Sequence, residues 1–294
     1  MAKNTQNRKI SKRISEWGLN VFAVGLVLFP VFAGMLWINQ VFFNDPRRTI
    51  TLKSVSAEAT SPRLFEEPLI SITFDDGWES VYTNAAPVLG KYDIASTHYI
   101  LPGLFKNHQY LSYDQAYSLK KAGHEIASHT MSHPNLSKTD FEESKNQLHE
   151  SDDFLQKNGL ADDLMSFASP EGATTPRVIE EATRIYGSHR NINGDLTDGV
   201  DYNDVNVAGK FDRFNIIGFS VRPSTTDAEI KAAIDYTHAN NGWLVLAYHQ
   251  IDHAGEPYST SPKALERHLI MIKNTGIKTP VVRAVIDNYK KVGW

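Results

Sequence analysis

Two adjacent aspartates, Asp75 and Asp76, end the apolar run LISITF and are followed at once by Gly77. Neighbouring carboxylates repel each other, so a strand end is a costly place for them unless a cation or a proton uses the pair. His129 and His133, in the phrase SHTMSHP, and His249, at the end of WLVLAYH, offer that kind of company. The chain has no cysteine, which removes thiolate zinc sites and disulfides and leaves imidazole and carboxylate as the only strong metal donors. Taken singly, each motif also has a plain structural reading. Asp75 and Asp76 can cap a helix, and His249 can sit satisfied in a core. Their joint placement is the stronger signal.

From Leu69 onward, short β-prone runs alternate with longer helical ones, the rhythm of parallel strands joined by crossover helices. LISITF, ASTHYI, HEIAS, MSFAS, FNIIGFSV and WLVLAYH read as strands. Asp140, Asp227 and Ser261 read as helix N-caps, and Gly123, Gly159, Gly242 and Gly276 as helix ends. In parallel α/β folds, functional groups gather at the C-terminal ends of strands. Asp75 and Asp76 follow LISITF, His129 and His133 follow HEIAS, Pro170 and Gly172 follow MSFAS, and His249 follows WLVLAY. All therefore fall on one predicted face. Periodicity is the same for an open sheet and a closed barrel.

Thr73-Phe74-Asp75-Asp76-Gly77 and His129-Thr130-Met131-Ser132-His133, in this order and separation, resemble the first two motifs of the polysaccharide deacetylases, the NodB-homology carbohydrate esterases. Leu246-Ala247-Tyr248-His249 is similar to their last motif, L-x-x-H. The resemblance runs from about Pro68 to Lys290. It implies an α/β fold, a distorted (β/α) barrel of about seven parallel strands. It also implies that Asp76, His129 and His133 are metal ligands. The third motif departs: where the family has R-x-P-x-G, this chain has Ala168-Ser169-Pro170-Glu171-Gly172. The family's arginine is expected to lie against the catalytic aspartate and favour its ionised form. With Ala168 in that place, Arg213 and Arg222 are the candidates to reach in from the next strand region, although each reads more readily as a surface or packing arginine. The fourth motif has no secure counterpart.

Two neutral imidazoles and one carboxylate leave a divalent ion with net positive charge and open positions for water and an acetyl oxygen. Asp75 can then act as general base toward the water, and His249 as general acid toward the departing amine. The expected activity is hydrolysis of carbon–nitrogen bonds other than peptide bonds: removal of N-acetyl groups from a glycan such as peptidoglycan, a chitin-like polymer or poly-N-acetylglucosamine. Zinc is the expected metal, with cobalt or nickel as alternatives. An O-acetyl esterase on acetylated polysaccharide and a non-catalytic glycan-binding module are the competing readings. A two-histidine, one-carboxylate set also serves non-haem iron oxygenases, but those lack an adjacent acid to act as base. Trp78, Pro170, Gly172 and Tyr248 are expected to meet substrate, with Tyr258 as a further flat face for a sugar ring. His124 and His253 read as structural or rim residues.

Residues 1–16 form a basic stretch with Lys3, Arg8, Lys9, Lys12 and Arg13, and no charge occurs from Trp17 to Phe43. That length suits a bilayer span better than a cleaved signal, whose apolar core is usually ~7–15 residues. The reading is a cytoplasmic basic stretch (1–16), a transmembrane anchor (17–43), a juxtamembrane linker (44–67) and an extracytoplasmic catalytic domain (68–294). A cleaved signal is the alternative. A net charge of −4 without a Lys/Arg stripe speaks against nucleic acid as a partner, and nothing signals a protein partner.

Overall fold

In the computed structural model, residues 67–195, 205–207, 211–253 and 255–291 are described. The basic stretch, the segment 17–43 and all but the last residue of the linker lie outside them. Among the described residues, no helix is long and apolar enough to cross a membrane.

Seven strands close into one barrel in chain order: β1 (Leu69–Phe74), β2 (Thr97–Ile100), β3 (Glu125–Ser128), β4 (Ser166–Ala168), β5 (Ser188–Asp195), β6 (Ile216–Ser220) and β7 (Trp243–Tyr248). Every pairing is parallel, and β1 joins β7 from Leu69↔Trp243 to Phe74↔Tyr248. The helices are α1 (Ala86–Tyr92), α2 (Tyr113–Lys121), α3 (Phe141–Lys157), α4 (Pro176–Ile185), α5 (Asp227–Ala239), α6 (Pro262–Thr275) and α7 (Val282–Lys291). Six strands fall within or on the runs read from sequence. The seventh, β5, was not foreseen.

Alternation along the strands divides the chain into two environments. Ile70, Ile72, Phe74, Leu244, Leu246 and Tyr248 share a core with Leu89 of α1 and Leu265 and Leu269 of α6. The alternate positions are strikingly more polar, with Ser71, Thr73, Thr97, Glu125, Ser166 and Arg190 all buried. Several of them are hydrogen-bonded within the barrel. Glu125 accepts hydrogen bonds from Thr97 Oγ1 (2.8 Å) and Ser166 Oγ (2.6 Å), and Trp243 Nε1 donates to Ser71 Oγ (2.9 Å). At the same end, the N-terminus of α7 closes the barrel: Val282 N–H donates to Thr97 Oγ1 and Arg283 N–H to Glu125 Oε2. These bonds satisfy donors that a helix start leaves without partners.

The helix ends follow the sequence with two corrections. Asp140 and Ser261 cap α3 and α6, accepting from Glu143 N–H and Ala264 N–H. Thr226, not Asp227, caps α5, because Thr226 and Glu229 form a reciprocal capping box. Gly276 ends α6 in the left-handed region at φ 72°, whereas after α5 that conformation falls to Asn241 rather than Gly242.

Candidate metal centre and catalytic site

Where β1 ends, Asp75 still donates its N–H to Tyr248 O at 2.8 Å, so the strand register holds through this residue. The next two residues, Asp76 (φ 67°) and Gly77 (φ 73°), are both left-handed and turn the chain sharply. A Cβ on Gly77 would lie 3.2 Å from Ile100, which adds crowding to the backbone preference for glycine. The turn lets two consecutive carboxylates serve different places.

Oδ1 of Asp76 lies 3.3 Å from His129 Nε2 and 3.2 Å from His133 Nε2. His129 Nδ1 is 2.8 Å from the backbone oxygen of Ala168. A carbonyl only accepts, so Nδ1 carries the proton in the neutral ring and Nε2 keeps its lone pair. His133 (φ 66°) and Thr130 (φ 72°) are also left-handed, and Thr130 Oγ1 accepts from His133 N–H. Gln147 of α3 steadies this loop by accepting from the N–H groups of Met131 (3.1 Å) and Ser132 (3.0 Å). Such strained backbone persists only where surrounding contacts over-determine it.

The three ligand atoms lie within 4.8 Å of one another, and Asp76 Oδ1 is buried without a hydrogen-bond partner. Lone pairs converging on a buried carboxylate oxygen are relieved by a ring proton or a cation between them, and the donor set fits a divalent ion such as zinc. Burial works against the Asp76 charge, but His129 and His133 outweigh it and hold the carboxyl well below its usual range. Trp78 Nε1 donates to the other carboxylate oxygen, Oδ2, at 3.0 Å.

Asp75 points away from this cluster. Its Oδ1 accepts from Arg190 Nη2 at 2.5 Å, and its Oδ2 is 3.9 Å from His249 Nε2. Burial lowers the His249 pKa below 6.5 despite the nearby Asp75 and Asp76 charges, and its Nδ1 is buried without a partner. The ring of Tyr258 lies 4.8 Å from that of His249.

Asp75, Asp76, His129, His133 and His249 are thus brought together as the sequence predicted. Of the residues expected to meet substrate, Tyr248 needs correction. Tyr248 is fully buried because it alternates with His249: its ring faces the helical layer, where its hydroxyl meets His268 Nδ1. Pro170 is buried within its turn, while Gly172 is half-buried. Trp78 is committed to Asp76 through its N–H, and its ring stacks on Tyr110 at 4.6 Å. His124 is buried against Ser96 below β2, a structural place. His253 is exposed in the loop after β7.

Neither candidate arginine reaches Asp75, in keeping with their packing reading. The guanidinium of Arg213 stacks over Phe214, that of Arg222 lies over Tyr258, and Asp75 is held by Arg190. Arg190 was missed because its strand was missed. The signal available was a polar SHRN directly after the helical run TPRVIEEATRIYG, where the alternation calls for a strand.

Residues 64–186 match the family model described as polysaccharide deacetylase. YxkH of Bacillus subtilis strain 168, which carries a provisional polysaccharide-deacetylase name, is 31% identical over 104 residues, 35% of this chain and 36% of that protein. A peptidoglycan-N-acetylglucosamine deacetylase of Bacillus cereus is 29% identical over 117 residues, 40% of this chain and 52% of that protein. The matches thus span about a third to a half of these relatives. Among solved structures, the Xyl-CE4 domain of a multidomain xylanase from the hindgut metagenome of Trinervitermes trinervoides shares the fold. It has a TM-score of 0.53 at 17% identity over 76% of this chain and 92% of that one. A closed parallel barrel carrying an Asp–His–His cluster at its strand ends defines the class, and within it residues 64–186 are similar to the polysaccharide deacetylases.

Proposed function

We propose that the protein is a metal-dependent deacetylase that removes N-acetyl groups from an N-acetylated glycan. The observation that supports this most directly is the division of labour at the end of β1. Asp76 faces two imidazoles, while Asp75 is turned toward Arg190 and His249. Asp76, His129 and His133 would hold the ion, and a divalent cation there supplies Lewis acidity to water and the acetyl carbonyl. Asp75 Oδ2, the oxygen not bonded to Arg190, accepts a proton from the attacking water. His249 donates a proton to the leaving nitrogen as the carbon–nitrogen bond breaks, giving acetate and a free amine. Amides leave poorly without that proton.

The peptidoglycan-deacetylase name of the Bacillus cereus relative supports a cell-wall glycan as substrate. The same residues would also attack an ester, so an acetylated xylan is the competing substrate. Acetate release from N-acetylglucosamine oligomers, peptidoglycan and acetylated xylan decides between them. Faster release from xylan overturns the N-acetyl assignment, and undiminished release after metal removal overturns the mechanism.

The uncharged stretch 17–43 supports a domain held outside the cytoplasmic membrane. Protease added to intact cells should then reach the barrel. A barrel protected until lysis overturns that location.

A further inference from the structure

We propose that Arg190 of β5 and Gly218 of β6 together supply the guanidinium support for Asp75 that the pattern R-x-P-x-G would draw from the position of Ala168. The proposal rests on the deacetylase reading given above. Ala168 and Arg190 are direct register partners on neighbouring parallel strands. Paired strands are about 4.8 Å apart, well within the reach of an arginine side chain, so either position can deliver a guanidinium to one carboxylate.

Arg190 is completely buried, yet its Nε and Nη1 have no hydrogen-bond partner. A buried, under-bonded guanidinium is a poor device for fold stability, because desolvation of the charge is incompletely offset. Its contacts suit a positioning residue instead. Nη2 meets Oδ1 of Asp75, and the guanidinium carbon lies 4.8 Å from the Tyr99 ring centroid. This single bond fixes one carboxylate oxygen and leaves Oδ2 turned to His249.

Gly218 accounts for the space that Arg190 occupies. A Cβ at this position would lie 2.6 Å from Arg190 Cδ, so a side chain must displace either the arginine or the strand. Glycine inside a strand weakens it and often marks a close approach. Here the approaching group is the arginine stem.

The test compares the wild type with Arg190→Ala, Arg190→Lys, Gly218→Ala, Gly218→Ala/Arg190→Ala and Ala168→Arg/Arg190→Ala. Bound zinc, kcat and KM for an N-acetylglucosamine oligomer are measured. Arg190→Ala should keep zinc and change KM less than ~3-fold while kcat falls ~30-fold or more. Ala168→Arg/Arg190→Ala should regain about 10-fold in kcat, because the guanidinium returns from the neighbouring strand. Gly218→Ala should lower kcat when Arg190 is present and do little once it is gone. A kcat for Arg190→Ala within about 3-fold of wild type, or no recovery in Ala168→Arg/Arg190→Ala, overturns the proposal.

Thermal unfolding of Asp75→Asn, Arg190→Met and their double variant gives a readout independent of turnover and of Arg190→Ala folding. The double variant should melt above Arg190→Met, since it no longer buries an unpaired carboxylate. Strictly additive losses overturn the pairing. A wild type that releases no acetate from any acetylated glycan overturns the deacetylase reading, while this cycle still decides whether Arg190 serves Asp75.

Discussion

Trp78 donates its indole N–H to Oδ2 of Asp76, leaving Oδ1 to face His129 and His133. The bond fixes which carboxylate oxygen is offered to a cation, and such supporting contacts commonly carry 10–100-fold in metal affinity. Trp78→Phe keeps the ring against Tyr110 but loses the donor. It should weaken zinc binding about 10-fold in a chelator competition. Unchanged affinity would mean that the backbone turn alone orients Asp76.

His129→Ala and Asp75→Asn should separate binding from turnover. The first removes a ligand atom and should lose zinc and acetate release together. Asp75→Asn should keep zinc but lower kcat by roughly 100-fold or more, as expected when a general base is removed. Metal analysis alongside acetate release reads both. An Asp75→Asn protein without zinc would reverse the roles of the two aspartates.

His249 must be protonated to act as an acid, and burial lowers its pKa below 6.5. The protonated fraction falls as pH rises through that pKa. The basic limb of kcat/KM should therefore lie below pH 6.5 in the free enzyme. Tyr258→Ala opens the His249 ring to water and should move the limb up by about half a unit. A basic limb at or above 6.5 that Tyr258→Ala leaves in place would assign the acid to another group.

Four further buried histidines, one of them His98, whose pKa burial also pushes down, should make the fold acid-sensitive. Burial lowers the pKa of His124, His189 and His268 to about 4 each. The unfolded chain binds these protons first, near 6.5, so stability is full above that pH and falls as pH drops toward 4. Each group contributes roughly 1.4 kcal/mol per pH unit across the window. His189 shows the cost in atoms: one ring nitrogen meets the Phe214 carbonyl and the other the Ser169 hydroxyl, so a second ring proton removes the acceptor that Ser169 uses. Unfolding midpoints should fall steeply from pH 6.5 to 4.5, and His189→Asn should flatten the slope. A flat profile would show that these rings are not buried neutral in solution.

Strand rhythm made the parallel α/β layout legible, because LISITF and WLVLAY carry apolar residues on their outer faces, while closure into a barrel and the roles of the five central site residues came from the motif resemblance. The same physics hid β5. Ser188, His189 and Arg190 are all buried, and the partners that His189 and Arg190 find, Ser169 and Asp75, lie on other strands' ends that only the closed barrel brings near. Read locally, SHRN looks like a loop, so the arginine was sought in more conspicuous neighbours. Tyr248 failed for the opposite reason: proximity to His249 in sequence suggested the cleft, whereas strand alternation sends adjacent residues to opposite faces.

The pairing of β1 with β7 joins the beginning of the barrel to its last strand. Nearly the whole domain must be synthesised before β1 has both its neighbours, and such distant pairings fold slowly. Until then LISITF is an unpaired edge rich in isoleucine, a template for joining other chains. A chain truncated before Trp243 should therefore aggregate through its first strand even though every residue of the Asp–His–His cluster is present.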